Sequence, residues 1–149
     1  IKKKNTIVGV SKFHVNIIKE KFKALGYNTH KNDTYIQSID NAICLEDYVD
    51  VPPYERTKNR IIWTSSPDRG LKLMLDNWAA WKALVPDLTL EILCPPYAVD
   101  WFNEDVSGLD GVTWQGNRCP NDLKHEIAKS EYWVYASDYT ETYCISAWK

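Results

Sequence analysis

Two hydroxyls, a guanidinium and a glycine fall within six consecutive positions, Ser65-Ser66-Pro67-Asp68-Arg69-Gly70, a combination suited to a phosphate group. Arginine supplies a permanent charge and a rigid fork of donors, serine hydroxyls add further donors, and glycine lets the backbone approach an anion closely. An apolar run, Ile61-Ile62-Trp63, leads into this turn, and Leu71, Met74, Leu75 and Trp78 follow at the i, i+3, i+4, i+7 spacing of an amphipathic helix. Strand, polar turn and helix N-terminus in succession offer unpaired N–H groups and a partial positive charge, the usual means of holding phosphate in α/β proteins. Lys72 would add a second cation if it turns back toward the ligand rather than along the helix. The same residues also fit a plain strand-to-helix turn with a surface arginine, because the full glycine fingerprint is missing.

A second segment, 132–149, repeats the arrangement with different chemistry. An apolar strand, Tyr132–Tyr135, runs into a polar loop, Ala136–Thr140, and a helix is expected to begin around Glu141-Thr142. Glu141 there can accept hydrogen bonds from hydroxyls, and the amides of Thr142, Tyr143 and Cys144 would form a first turn suited to an anion. The competing interpretation makes Glu141 a favourable charge in a first helical turn and nothing more. Taken together, an arginine with hydroxyls on one loop and a carboxylate with free amides on another match a ligand that is both a phosphate and a polyol.

The elements that must position these loops alternate along the chain. Thr6–Val10 reads as a short strand, and Ser11 as the N-cap of a helix reaching about Leu25, with Phe13, Ile17, Ile18, Lys21, Phe22 and Leu25 on its buried face and Gly26 as its stop. Thr34–Ile39 reads as a second strand. Residues 45–59 are acidic, carry two prolines and lack helical period, which marks a linker between residues 1–44 and a domain over 60–149. Beyond it, strands are expected near 60–64, 88–93, 111–115 and 132–136. Helices are expected near 70–84 and 121–129, with a short one around Val99–Asn103. Continuous apolar strands alternating with helices predict an α/β fold, a Rossmann-like parallel sheet with helices on both faces. Ligands of such sheets sit beyond the carboxyl ends of the strands, where the 65–70 turn belongs. The chain begins at Ile1 and stops at Lys149 inside apparent elements, so both ends are expected to be cuts.

At 149 residues with 44% hydrophobic and 26% charged residues, the chain can bury a globular core. A net charge of −2 gives no nucleic-acid footprint, and Lys2-Lys3-Lys4 reads as a solvated end. No apolar stretch reaches the roughly 18–20 residues of a membrane span, and no signal peptide is legible. Cys44, Cys94, Cys119 and Cys144 are scattered without zinc-ligand spacing, which predicts reduced thiols in a cytoplasmic protein. His14, His30 and His125 form no nucleophile arrangement, and His14 is expected on a helix face.

Four segments in order resemble the nucleotide-sugar-binding domain of GT-B glycosyltransferases, in particular the retaining group related to glycogen and sucrose synthases. SSPDRGL resembles the donor-domain phosphate loop, VPDLTLEIL its second strand, GVTWQGNRCPNDL the strand and loop that meet the base, and WVYASDYTETYCISA the signature region. Upstream, IVGVSKFHVNIIKEKF and YIQSIDNAI resemble the end of the acceptor domain and the crossover. The resemblance implies that Arg69 neutralises the diphosphate, assisted by Ser65, Ser66, Gly70 and Lys72. It implies that Asn117 and Arg118 meet base and ribose, and that Glu141 holds hydroxyls of the transferred sugar with Thr140, Thr142, Tyr143 and Cys144 beside it. The donor would be a UDP- or GDP-linked hexose, transferred with retention to a hydroxyl of a glycan, protein or lipid. Neither a cofactor nor a metal is expected, since no Asp-x-Asp pair is present.

One departure bears on function. The family's second glutamate, eight positions after Glu141, falls on Lys149, and a lysine cannot accept hydrogen bonds from ribose hydroxyls. The resemblance also covers only the end of the acceptor domain and part of the donor domain, so this stretch by itself is expected to bind nucleotide without turning over acceptor. The alternative is a non-catalytic module that binds nucleotide, sugar or protein, for which seven Trp and nine Tyr would suit an interface. A nicotinamide-dependent oxidoreductase lacks both the GxGxxG turn and an acidic residue ending the second strand.

Overall fold

The structure, a computed structural model, describes residues 5–29, 34–99, 105–137, 139–142 and 144. The chain divides into two compact units, Ile1–Ile43 with Thr140–Trp148, and Cys44–Tyr139 with Lys149. In the first unit, strand β1 (Asn5–Gly9) leads into helix α1 (Lys12–Ala24), and strand β2 (Thr34–Ser38) pairs in parallel with β1. Ser11 caps α1 by accepting from His14 N–H at 3.0 Å, and His14 Nδ1 accepts in turn from Val10 N–H at 3.2 Å. His14 is therefore spent on the helix start, in a variant of the capping box with imidazole as the returning acceptor. At the other end, Gly26 takes φ +71, with Tyr27 N–H donating to Phe22 O and Gly26 N–H to Lys23 O, which is a Schellman stop. The helix packs through Val15, against which Gly9 lies closely enough to exclude a side chain. The expected apolar face is only partly used: Phe13 is 54% and Leu25 80% exposed. A two-stranded sheet is too narrow to cover a whole helical stripe.

The second unit is built on a four-stranded parallel sheet. Its strands are β3 (Thr57–Trp63), β4 (Thr89–Leu93), β5 (Val112–Gly116) and β6 (Ser130–Trp133), in the order β5-β4-β3-β6. Connecting them are α2 (Leu71–Asp76) and α3 (Trp78–Leu84), a single turn α4 (Pro96–Val99), and α5 (Pro120–Lys129). Side chains alternate across a strand, so Ile61 and Trp63 share one face with Leu90 and Ile92, and there they pack with Leu71, Met74 and Trp78 of α2 and α3. Arg60 and Ile62 point to the other face, where Arg60 meets Glu126 of α5 at 2.6 Å. Helices thus cover both faces of β3, and Ile62 and Trp63 are completely removed from solvent. The α/β, Rossmann-like expectation matches this architecture.

Local differences from the sequence expectations have identifiable causes. The helix expected over 70–84 is two helices, because the Asn77 side chain donates to Leu73 O and its backbone turns at φ −100, ψ 0. Trp78 stays buried across the break and donates its indole N–H to Asp110 O at 2.8 Å. Strand β3 starts three residues before 60. Asn59 adopts φ +57, a conformation asparagine tolerates, at an irregularity in the β3–β6 pairing, and its N–H finds Glu131 at 2.5 Å. The segment before it contains one 3-10 turn, Leu45–Tyr48. The short helix lies at Pro96–Val99, where a proline opens it; of its expected range, 100–103 lies outside the described residues.

Pairing β3 with β6 brings together the loops that leave their carboxyl ends. Gly70 takes φ +101 and lies directly on the backbone of Ala136. A methyl group there would fall inside the van der Waals radius of the Ala136 carbonyl oxygen, on backbone that cannot swing away as a side chain would. On the opposite face, burial alone would raise the Glu126 carboxyl, but hydrogen bonds from Arg60 and Lys129 outweigh it and hold it below the ordinary carboxylate range.

Two outcomes are expected in urea unfolding. Gly70→Ala should cost roughly 3 kcal/mol, the sum of left-handed strain and a backbone clash. Glu126→Gln should cost about 1 kcal/mol at pH 7. Because the folded-state pKa of Glu126 is depressed, that difference should be full above about pH 4.5, the ordinary carboxylate value, and vanish as pH falls through the folded value. A pH-independent difference would show that the ion pair contributes nothing.

Candidate functional site

The order β5-β4-β3-β6 places β3 where chain direction across the sheet reverses: β4 and β5 extend to one side of it and β6 lies on the other. At such a switch point the loops beyond neighbouring carboxyl ends separate and leave a crevice. Here the described residues of those loops are 64–70 on one side and 134–137 with Tyr139 on the other. Both strands end in tryptophan, and both indoles donate into the first loop. Trp63 Nε1 reaches Ser65 O at 2.8 Å, and Trp133 Nε1 reaches Thr64 Oγ1 at 3.0 Å. Tyr135 stacks on both rings, with centroids at 6.2 Å from Trp63 and 5.6 Å from Trp133. The aromatic pairs fix the start of the loop, and Gly70 on Ala136 fixes its end.

Between these anchors, Pro67–Arg69 form one 3-10 turn, closed by Arg69 N–H on Ser66 O at 3.0 Å. The Arg69 guanidinium lies over the Tyr139 ring, 3.5 Å from its centroid, and its side chain is 27% exposed. Among the described residues it donates no hydrogen bond, and the nearest carboxylate is Asp68, 3.9 Å from Nε. A half-buried cation stacked by its face, with Asp68 as a loose ion-pair partner at Nε, keeps N–H groups on its edge that can bond an anion. Beside it, Pro67, Asp68, Gly70, Lys72, Leu73, Ala136 and Ser137 line a cavity of about 520 Å³. Arg69 is not among the lining residues; it stands at Tyr139.

The other expected site residues are distributed as follows. Ser65 is half-buried and contributes its carbonyl to Trp63. Ser66 is buried, and its hydroxyl is the one buried side-chain polar atom among the described residues without a partner. Lys72 pairs with Asp76 at 2.8 Å along the helix, at the i,i+4 spacing that brings side chains together. Asn117 and Arg118 are exposed beyond β5, two strands from β3 and on the same carboxyl edge, with Arg118 donating to Gln115. Glu141, Thr140, Thr142 and Cys144 belong to the other unit. No helical turn is present at 140–142 or 144. The Glu141 side chain accepts from the adjacent Thr142 N–H at 3.0 Å, and Thr142 O accepts from Ser11 Oγ at 2.6 Å. Thr142 N–H is thus engaged by Glu141, as a run of Thr, Glu and Thr favours local side-chain bonding over helix initiation. Tyr143, Lys149 and the rest of that expected helix lie outside the described residues.

Tyr139 and the two strand-end tryptophans shape this site, and none of the three stands among the site residues expected from sequence. The available signal was position: an indole at the last residue of a strand has an apolar body for the sheet and an N–H for the loop. All four cysteines are free, and burial pushes the Cys94 thiol up. Among the described residues no group of three His, Cys, Asp or Glu is placed to hold a metal ion, and no helix is long and apolar enough to cross a membrane.

No protein-family model matches the chain, and no curated protein matches it. A solved structure described as the crystal structure of a GtfA/B complex is similar, with TM-score 0.61 and 17% sequence identity over 95% of this chain. The match takes in 27% of that protein's chain, so the present chain spans about a quarter of its length. At that identity the likeness is one of fold alone, a parallel α/β architecture with helices against the sheets.

Proposed function

We propose that the chain carries the donor-binding part of a retaining glycosyltransferase, one that takes a hexose from a UDP- or GDP-linked donor and passes it to a hydroxyl of a glycan, protein or lipid. The observation that carries this is Arg69, a partly buried guanidinium at the switch point of the sheet with no hydrogen-bond acceptor among the described residues. The glycosyltransferase-like fold supports the same class of reaction.

Cleavage of a sugar–diphosphate bond leaves negative charge on the departing phosphate while positive charge develops at the anomeric carbon. A fixed cation beside the phosphate lowers the barrier by meeting charge as it forms. Arg69 takes that role, with the backbone of Ser66 to Gly70 carrying it and Ser65 and Ser66 available as hydroxyl donors. Asn117 and Arg118 take base and ribose contacts. The family resemblance assigns the sugar hydroxyls to Glu141, with Thr140, Thr142, Tyr143 and Cys144 as its neighbours. Charge stabilisation by these groups asks for no metal or organic cofactor, and the four free thiols suit a reducing, cytoplasmic setting.

Calorimetric titration with UDP and with GDP tests this. Arg69→Ala should weaken nucleotide binding at least tenfold, corresponding to about 1.5–3 kcal/mol for a lost charged hydrogen bond. Glu141→Ala should leave UDP binding unchanged and weaken binding of the complete UDP-hexose. Identical affinities in wild type and Arg69→Ala would remove the assignment.

A further inference from the structure

The contact between Arg69 and Tyr139 has consequences for how the phosphate-binding cation is presented. Arginine carries substantial rotamer freedom, and a guanidinium free to sample it would lose entropy each time it met a ligand. The Tyr139 ring removes much of that freedom beforehand, because the guanidinium carbon sits 3.5 Å from the ring centroid, at stacking distance. The two uses of the guanidinium do not compete. A cation–π contact occupies its flat face, whereas phosphate is bound by the N–H groups around its edge. Along that edge the one carboxylate within ion-pair reach among the described residues is Asp68, 3.9 Å from Nε and beyond hydrogen-bonding distance, so the remaining N–H groups can meet a ligand.

Tyr139 is itself held in place by the loop. Its N–H donates to Ser137 Oγ at 3.1 Å, and Ser137 follows Ala136, on whose carbonyl Gly70 rests. A closed chain of contacts therefore runs from Gly70 through Ala136, Ser137 and Tyr139 back to Arg69. We infer that Tyr139 is a positioning residue for the phosphate group of the ligand: it stacks on Arg69 and turns the N–H edge outward in advance of binding. This rests on the phosphate-binding role proposed above for Arg69, and it adds a residue that acts through that arginine rather than on the ligand.

The test is a double-mutant cycle read with UDP by calorimetry on the 149-residue chain, with wild type, Tyr139→Leu, Tyr139→Phe, Arg69→Ala and the double variant Arg69→Ala/Tyr139→Leu. Loss of the stack should weaken UDP about two- to fivefold in Tyr139→Leu, the equivalent of an exposed cation–π contact. Tyr139→Phe keeps the ring and should bind as wild type, while the double variant should match Arg69→Ala. A second readout needs no ligand: the Arg69 side-chain proton resonances should lie upfield from the ring current in wild type and Tyr139→Phe, and move to ordinary positions in Tyr139→Leu. If Arg69→Ala weakens UDP but Tyr139→Leu binds as well as or better than wild type, the positioning role fails and the role of Arg69 stands. Equal weakening in Tyr139→Phe and Tyr139→Leu, or additive effects in the double variant, also overturns it. No effect of Arg69→Ala overturns both.

Discussion

The backbone of Gly70 rests on the carbonyl of Ala136, and the architecture of the second unit converges on that contact. It closes only because β3 and β6 are parallel neighbours, with Ile61 opposite Tyr132 and Ile62 opposite Trp133. Parallel pairing in turn requires a crossover between them, and the chain supplies three before β6 is laid down beside β3. A side chain at position 70 would clash with the Ala136 backbone and push apart the two loops that carry Arg69 and Tyr139. A single residue without a Cβ thus joins the sheet's order to the chemistry at its edge.

Around this contact, burial and hydrogen bonding divide the work. Ile62, Trp63, Leu71, Met74, Leu90 and Ile92 are almost entirely dry, and each contributes on the order of 1.5–3 kcal/mol to holding helices against the sheet. They fix the direction of β3 but not the path of the chain after Trp63. That path is fixed by polar bonds from apolar groups: two indole N–H donors enter the loop at Thr64 and Ser65. The buried hydroxyl of Ser66, without a partner among the described residues, is the cost left in the loop.

Periodicity made the strands and the 120–129 helix legible, because both signals survive any tertiary arrangement. Leu71, Met74 and Trp78 share one buried stripe, as their spacing predicts, even though Asn77 divides the helix. What periodicity could not carry were bonds between a side chain and a distant backbone. Nothing local to Asn59 announces that Glu131 will accept its N–H, and nothing local to Thr142 announces the Ser11 hydroxyl on its carbonyl. Phe13 and Leu25 failed as core for a related reason: an apolar stripe says which face could be buried, not how much surface exists to bury it. For the site, the turn chemistry of 65–70 was readable from residue types. The role of Tyr139 was not, since it depends on two loops meeting.

The loops beyond β3 and β6 are proposed above to hold the diphosphate of a nucleotide sugar. A titration of the ¹⁵N-labelled chain with UDP, following backbone amide shifts, tests this proposal. Saturable shifts should concentrate at Ser65 to Leu71 and at Ala136, Ser137 and Tyr139, with smaller ones at Asn117 and Arg118. Shifts confined to the separate cavity lined by Glu46, Asp47, Tyr48 and Lys124, with the Ser65 to Leu71 amides unmoved, would contradict it.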